Sequence, residues 1–269
     1  MENAVTKNLA QRAVLEGKPI ELYGLTMWGL PMRQYEEWAK CKNVWLSRQS
    51  TFPVFCVSLP FLDAMFALDI DAVSRTGQPE GWLYNIMYAL GMALRLDEDC
   101  VKEQKIHIVA DEEAGVLNCL RVHLPNGEVV DITSGQFNKI RKVVAWANGD
   151  KLPDETLNDD LLETENFLNS KDAPPLDYNM IDLEASVALA CGKQIRDVEE
   201  WTILEFETMR RAIDRNNRYW ICGIGATNGC KWDGGNPTPS WCFDKSIEGK
   251  TSALVSMNRF KSPATGNGE

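Results

Sequence analysis

The side chains that could carry acid–base or nucleophilic chemistry are few and widely spaced. The chain has two histidines, His107 and His123, and eight cysteines that occur singly. Cys119 and His123 fall on one face of a predicted strand. Four residues of extended chain separate them by about 13 Å, which is too far for direct proton transfer from thiol to imidazole. Since no cysteine pair has zinc-site spacing either, we expect no catalytic residue and no metal site.

Carboxylates are abundant, but they lie where charge is ordinarily solvated. The acidic runs are Asp97-Glu98-Asp99, Asp111-Glu112-Glu113 and Asp159-Asp160. Each falls in a predicted turn or connector, which is typical of exposed charge. Two carboxylates from distant runs could still meet in a cleft as acid and base. A hydrolase assembled from distant histidines and carboxylates therefore stays open as an alternative.

Two glycine-containing stretches resemble nucleotide-binding loops only in part. SIEGKTSAL (246–254) ends like a phosphate loop, but Asp244 stands where that loop requires its first glycine. In GIGATNG (223–229), Asn228 replaces the third glycine of the dinucleotide fingerprint, and a helix rather than a strand is predicted to precede it. We therefore expect no nucleotide cofactor.

One acidic stretch resembles a calcium loop. DIDAVSRTGQPE (69–80) places Asp69 and Asp71 at ligand positions, but Val73 stands where an oxygen ligand is needed and Ser74 where glycine makes the sharp turn. The stretch predicts a solvated loop between two helices and no calcium site.

Charge and hydropathy narrow the class of partner. The 269-residue chain carries a formal charge of −11, which disfavours nucleic acid and anionic membrane surfaces because both attract basic patches. No apolar run approaches the roughly 18 residues of a membrane span, and the N-terminus has no signal-peptide core. We expect a cytoplasmic protein with a protein or small-molecule partner.

Periodicity and turn signals predict an α+β fold. Helical patterns dominate, and β-forming runs at 105–111, 116–124 and 128–132 predict a small antiparallel hairpin or meander, with Asn126-Gly127 as a turn. Thr133 with Gln136 and Thr202 with Glu205 match helix capping boxes. We divide the chain into a mixed helix and sheet domain (1–150), an acidic connector (151–178) and a helical part with a Gly/Pro/aromatic loop and a flexible tail (179–269).

Seven of the nine tryptophans fall into two groups with different expectations. Those on helical apolar faces are expected in the core: Trp38, Trp45, Trp82, Trp146 and Trp201. Trp232, Trp241 and Phe243 lie in the Gly/Pro loop, where aromatic side chains either anchor a partner or fold back to close the helical part. Both interpretations stay open for these three residues.

Four stretches together resemble proteins of tailed bacteriophages of Gram-positive hosts. They are ELYGLTMWGLPMRQYEEW, the block from VVDITSGQFNKIRK to LPDETLND, EEWTILEFETMRRAI and GGNPTPSW. Among these proteins the chain looks most like a tail-assembly chaperone that binds the tail-tube or tape-measure protein. The resemblance implies a non-catalytic assembly factor in the host cytoplasm. A structural tail or baseplate component, located in the virion tail, is the alternative, and self-association stays open.

Overall fold

The computed structural model describes residues 5–111, 116–155 and 179–230. Within these ranges helices predominate: α1 (Lys7–Leu15), α2 (Tyr35–Trp45), α3 (Val54–Val57), α4 (Phe61–Thr76), α5 (Trp82–Ala93), α6 (Ser134–Ala147), α7 (Met180–Cys191), α8 (Ile195–Glu199) and α9 (Ile203–Thr227). The strands are β1 (Ile20–Leu22), β2 (Leu25–Met27), β3 (Ile106–Asp111), β4 (Val116–His123) and β5 (Val129–Ile132). The predicted α+β class, mainly helical with a small antiparallel sheet, is confirmed.

The predicted meander forms a three-stranded antiparallel sheet in the order β3-β4-β5. Its register pairs Ile108 with Leu120 and Leu120 with Ile132, and Leu120 is fully buried. Gly127 closes the predicted turn with a left-handed backbone (φ 86°) and donates its N–H to the Leu124 carbonyl at 2.9 Å. The turn that the sequence predicted therefore joins β4 to β5.

A second, two-stranded sheet pairs β1 with β2 near the N-terminus. Tyr23 and Gly24 form its turn, both with left-handed φ values of 54° and 78°. Two consecutive residues of this kind are typical of the tight hairpin turn that matches strand twist. The sequence indicated extended structure here but not the hairpin.

Both predicted capping boxes are confirmed. The Thr133 hydroxyl accepts the Gln136 N–H, and the Gln136 side chain accepts the Thr133 N–H at 2.9 Å. Thr202 and Glu205 make the same reciprocal pair at the start of α9. Each pair satisfies N–H groups that the first helical turn leaves without a helical partner.

The expected solvated loop at 69–80 is wrong, because α4 continues to Thr76 and ends at left-handed Gly77 (φ 77°). Asp69 is buried within α4 rather than exposed in a loop. Its carboxylate accepts the backbone N–H groups of Gly81, Trp82 and Leu83 at 2.9–3.2 Å. The carboxylate thus caps α5 from a neighbouring helix, where the helix dipole also favours negative charge.

The core lies among α2, α4, α5 and α6, and aromatic rings fill its centre. Trp45 packs edge-on against Phe137 with ring centroids 5.5 Å apart, and Phe61 stacks on Phe137 at 6.5 Å. Trp38 and Trp45 are fully buried as predicted, whereas Trp82, Trp146 and Trp201 are only partly buried.

The charged side chain of Arg141 is buried in this core. The Arg141 guanidinium lies over the Phe61 ring at 3.4 Å and donates to the carbonyls of Trp45 and Ser47, both at 2.7 Å. The Trp45 indole N–H donates in return to the Arg141 carbonyl at 3.1 Å. Burial lowers the pKa of Arg141 to about 10, so the side chain still carries its charge at neutral pH. Arg141 thereby ties the end of α2 to α6.

The described residues divide into two compact units. The first contains residues 5–111, 116–155 and 192–207, and the second contains residues 179–191 and 208–230. In the first unit, a backbone bridge joins residues far apart in sequence: Met32 N–H donates to the Trp201 carbonyl at 2.7 Å, and Ile203 N–H to the Leu30 carbonyl at 2.8 Å. Most of the predicted acidic connector and the whole Gly/Pro loop lie outside the described residues.

Across residues 5–111, 116–155 and 179–230, none of the helices combines the length and the apolar character that crossing a membrane requires.

Candidate functional site

The most exposed apolar stretch of the first unit is residues Val54–Leu59, here called the apolar segment. It includes the short helix α3 and is bounded by Pro53 and Pro60. Val54 is 90% exposed, Phe55 50%, Val57 47% and Leu59 36%. Single exposed apolar residues are ordinary on protein surfaces, but four within six residues form a patch of the kind that marks interaction sites.

The backbone of the apolar segment is held from within the unit. Cys56, the one buried residue of the segment, points inward, and its thiol contacts the Ala64 carbonyl of α4 at 3.7 Å. The Gln49 side-chain amide donates to the carbonyl of Cys56 at 2.9 Å and also to that of Leu59. The segment therefore presents its apolar side chains on a fixed backbone.

The second unit also exposes apolar side chains. On α7, Ile181 and Leu189 are exposed, and on the C-terminal half of α9, Trp220, Ile221 and Ile224 are exposed. Trp220 and Ile224 are four residues apart and so share one face of the helix. This unit has a second apolar surface, formed on helices rather than on a connecting segment.

The structure brings the two histidines together on the exposed face of the three-stranded sheet. The rings of His107 and His123 stack with centroids 5.3 Å apart, and His107 Nδ1 lies 2.9 Å from the Gln104 carbonyl oxygen. The two histidines were not predicted to be neighbours. The signal that could have found the pair was the antiparallel register of β3 and β4, which places the histidines diagonally across two neighbouring strands.

An ion pair occupies the neighbouring positions of the sheet. Arg121 lies opposite His107 and Asp131, and its guanidinium donates to both carboxylate oxygens of Asp131 at 2.7 and 2.8 Å. This pairing lowers the pKa of Asp131 below its ordinary value. The bidentate guanidinium thus occupies both carboxylate oxygens of Asp131.

Four buried thiols of the first unit have raised pKa values. Burial raises the pKa values of Cys119, Cys56 and Cys100. It also raises the pKa of Cys41, to about 11. The thiolate is the nucleophilic form, so these four cysteines lack the character of reactive thiols. All seven cysteines in the described ranges are free.

Two adjoining cavities lie in the first unit, and neither is lined by a histidine. One, of about 170 Å³, is lined by Glu37, Tyr88, Asp97 and Glu98 among others. The other, of about 380 Å³, includes Arg33, Arg95, Glu200 and Thr202. Both share Arg33, Gln34 and Leu96 as lining residues. The histidines and the cavities are therefore separate features of the unit.

In the part of the chain that the structure describes, no group of three or more His, Cys, Asp or Glu side chains is arranged to hold a metal ion. The aromatic residues predicted as partner contacts, Trp232, Trp241 and Phe243, lie outside the described residues, as does SIEGKTSAL.

Comparison of the chain with models of protein families, with curated proteins and with solved structures gives no match.

Proposed function

We propose that this chain is a protein-binding factor without catalysis of its own, and that the apolar segment is a principal contact with its partner. The observation that carries the proposal is the contrast within residues 54–59: four exposed apolar side chains surround one buried anchor, Cys56. An arrangement of this kind presents apolar surface on a fixed backbone, as an interface requires.

Energetics favour a role in binding. Burying an exposed Phe, Val or Leu side chain completely contributes about 1.5–3 kcal/mol, and these side chains retain a third or more of their surface. The hydrogen bonds from Gln49 and the inward-pointing Cys56 already fix the backbone. Less conformational freedom is therefore lost on association, which raises affinity without additional contacts.

The negative charge of the chain indicates which charged residues should border the binding surface of the partner. The net charge is −11, and Glu155 lies beside the segment, where its carboxylate accepts the N–H groups of Gln49 and Ser50 at 3.2 Å. We infer a partner whose apolar pocket is bordered by lysine or arginine, because complementary charge steers association and fixes orientation. The same charge disfavours nucleic acid as a partner.

The resemblance to phage tail proteins supplies the candidate partner, namely the tail-tube or tape-measure protein. Both must stay unaggregated in the host cytoplasm before assembly, and a chaperone-like factor would cover their apolar surface during that interval. In the alternative, the chain remains in the finished particle as a tail or baseplate component, with the same segment as a permanent contact.

The test is capture of tail proteins by the tagged full chain from induced host cells, with the captured proteins identified by mass spectrometry. We expect the tail-tube or tape-measure protein with the unaltered chain. Capture should fall at least tenfold with the double variant Phe55→Ser/Val57→Ser. Leu9→Ser is the matched control, because Leu9 is similarly exposed (57%) but stands on α1, outside the apolar segment.

Equal capture by the unaltered chain and the double variant would sink the role of the apolar segment. If no tail protein is captured, the assembly function is wrong. Finished particles distinguish the remaining two possibilities: a chaperone is absent from them, whereas a structural component is present in stoichiometric amounts.

A further inference from the structure

The larger cavity of the first unit contains an arginine in an unusual backbone position. Arg95 follows α5 with φ 55°, in the left-handed region. Two hydrogen bonds define the helix end around it: Leu96 N–H donates to the Gly91 carbonyl and Arg95 N–H to the Met92 carbonyl, at 2.9 and 3.0 Å. This pattern is the Schellman motif, in which the left-handed residue is usually glycine.

A side chain at this position works against stability, because the left-handed conformation costs an L-residue about 1–2 kcal/mol. Residues held in such conformations cluster at functional sites, where the side chain has a use that offsets the strain. Arg95 is an exposed residue that lines the cavity together with Arg33, Glu200 and Thr202.

The Arg95 guanidinium is oriented but not neutralised. It lies over the Trp28 ring, 3.9 Å from its centroid, so the indole covers one of its faces. Among residues 5–111, 116–155 and 179–230, no oxygen accepts a hydrogen bond from this side chain. Its planar array of N–H donors, suited to bidentate pairing with a carboxylate, therefore remains available in the cavity.

The charge of the cavity limits the anion that fits. Arg33 is paired with both carboxylate oxygens of Glu200 through one nitrogen, so Arg33, Arg95 and Glu200 together leave one positive charge. The adjoining cavity adds Glu37, Asp97 and Glu98. A singly charged carboxylate balances the one positive charge of the larger cavity, whereas a doubly charged phosphate exceeds it and is repelled more strongly by the adjoining carboxylates.

We propose that the cavity of about 380 Å³ between residues 29–34, 95–96 and 200–202 binds a carboxylate group, held by Arg95 with Arg33 as its neighbour. The size suits the carboxylate end of a small molecule or of a polypeptide, since ligand cavities of this volume stand at the lower end of the usual range. The inference is independent of the apolar segment and of the proposed assembly function.

The test is a titration of the full chain with propionate, followed by NMR at the Thr202 backbone amide and the Arg33 side-chain Nε–H. We expect saturable shifts in the millimolar range. Arg95→Gly should weaken propionate binding at least tenfold while the melting temperature stays the same or rises, because glycine suits the left-handed position. Loss of binding in this variant therefore would not reflect loss of the fold.

Gln104→Gly is the matched control, because Gln104 also has a left-handed backbone (φ 57°) but does not line the cavity. It should bind propionate as the unaltered chain does. The proposal is overturned if propionate causes no saturable shift, if Arg95→Gly binds equally well, or if inorganic phosphate binds more tightly than propionate.

The tripeptide Gly-Gly-Leu and its C-terminal amide identify the source of the carboxylate. Binding of the free peptide at least tenfold tighter than propionate, with no binding of the amide, supports a polypeptide C-terminus. Equal binding of the free peptide and propionate supports a small carboxylic acid.

Discussion

Two phenylalanines six residues apart show how differently two adjacent regions use the same side chain. Phe61, at the start of α4, is 1% exposed, whereas Phe55, in the apolar segment, is 50% exposed. Phe61 has two aromatic-face partners, Phe137 stacked at 6.5 Å and the Arg141 guanidinium at 3.4 Å. Apolar character alone therefore does not decide burial; the presence of an opposing element does.

The difference separates the residues that stabilise the unit from those available to a partner. Around Phe61, Phe137 and Arg141, helices α4 and α6 contact each other. The Arg141 guanidinium donates hydrogen bonds to the carbonyls of Trp45 and Ser47. In the apolar segment only Cys56 points inward. We expect substitutions in the first region to lower the free energy of unfolding and those in the second to alter binding.

The largest expected effect is that of Arg141→Met. Methionine keeps much of the volume but leaves the carbonyls of Trp45 and Ser47 without their donor. An unsatisfied buried polar group costs about 1–3 kcal/mol, so we expect a loss of about 2–4 kcal/mol in the free energy of unfolding. Urea denaturation followed by circular dichroism measures this loss.

Arg141→Lys is the control for this variant, because lysine keeps the charge but can reach one carbonyl at a time. Arg141→Lys should lower the free energy of unfolding by less than Arg141→Met does. If Arg141→Met leaves the free energy of unfolding unchanged, the buried guanidinium does not stabilise the unit. The contrast between the core and the apolar segment would then be wrong.

A smaller effect is expected from Asp69→Ala. The substitution leaves three N–H groups at the start of α5 without an acceptor and removes a negative charge from the positive end of the helix dipole. We expect a loss of about 1–2 kcal/mol, the upper range for a helix cap, measured by thermal denaturation. Asp71→Ala should lose much less, because Asp71 is only half-buried and pairs only with Arg75 among the described ion pairs.

Local signals explain how much of the fold the sequence could predict. The capping boxes at Thr133 and Thr202 and the Asn126-Gly127 turn depend on residues within a few positions of each other, and all three are confirmed. The bridge between residues 30–32 and 201–203 had no such signal, because backbone pairing at long range leaves no trace in residue type. For the same reason the role of Asp69 was misinterpreted: its partners are in the next helix.

The candidate sites were harder to predict than the fold. Phe55 is exposed because no other element packs over it, and the periodicity of the local sequence does not report such tertiary packing. The two histidines meet only because β3 and β4 pair in one register. Arg95 left no signal in the sequence, because an arginine at the C-terminal end of a helix is ordinary and its left-handed backbone is visible only in the structure.

The smallest effects test the contrast between neighbours inside the apolar segment. Phe55→Ser should change the free energy of unfolding by less than about 0.5 kcal/mol, because a surface side chain contributes little to the folded state. Cys56→Ala, one residue further along, should cost about 1 kcal/mol, because it removes a buried sulfur and leaves a small void. Chemical denaturation of the two variants side by side gives the comparison. If Phe55→Ser is as destabilising as Cys56→Ala, then Phe55 packs against the unit in solution, and the apolar segment is part of the core rather than a surface offered to a partner.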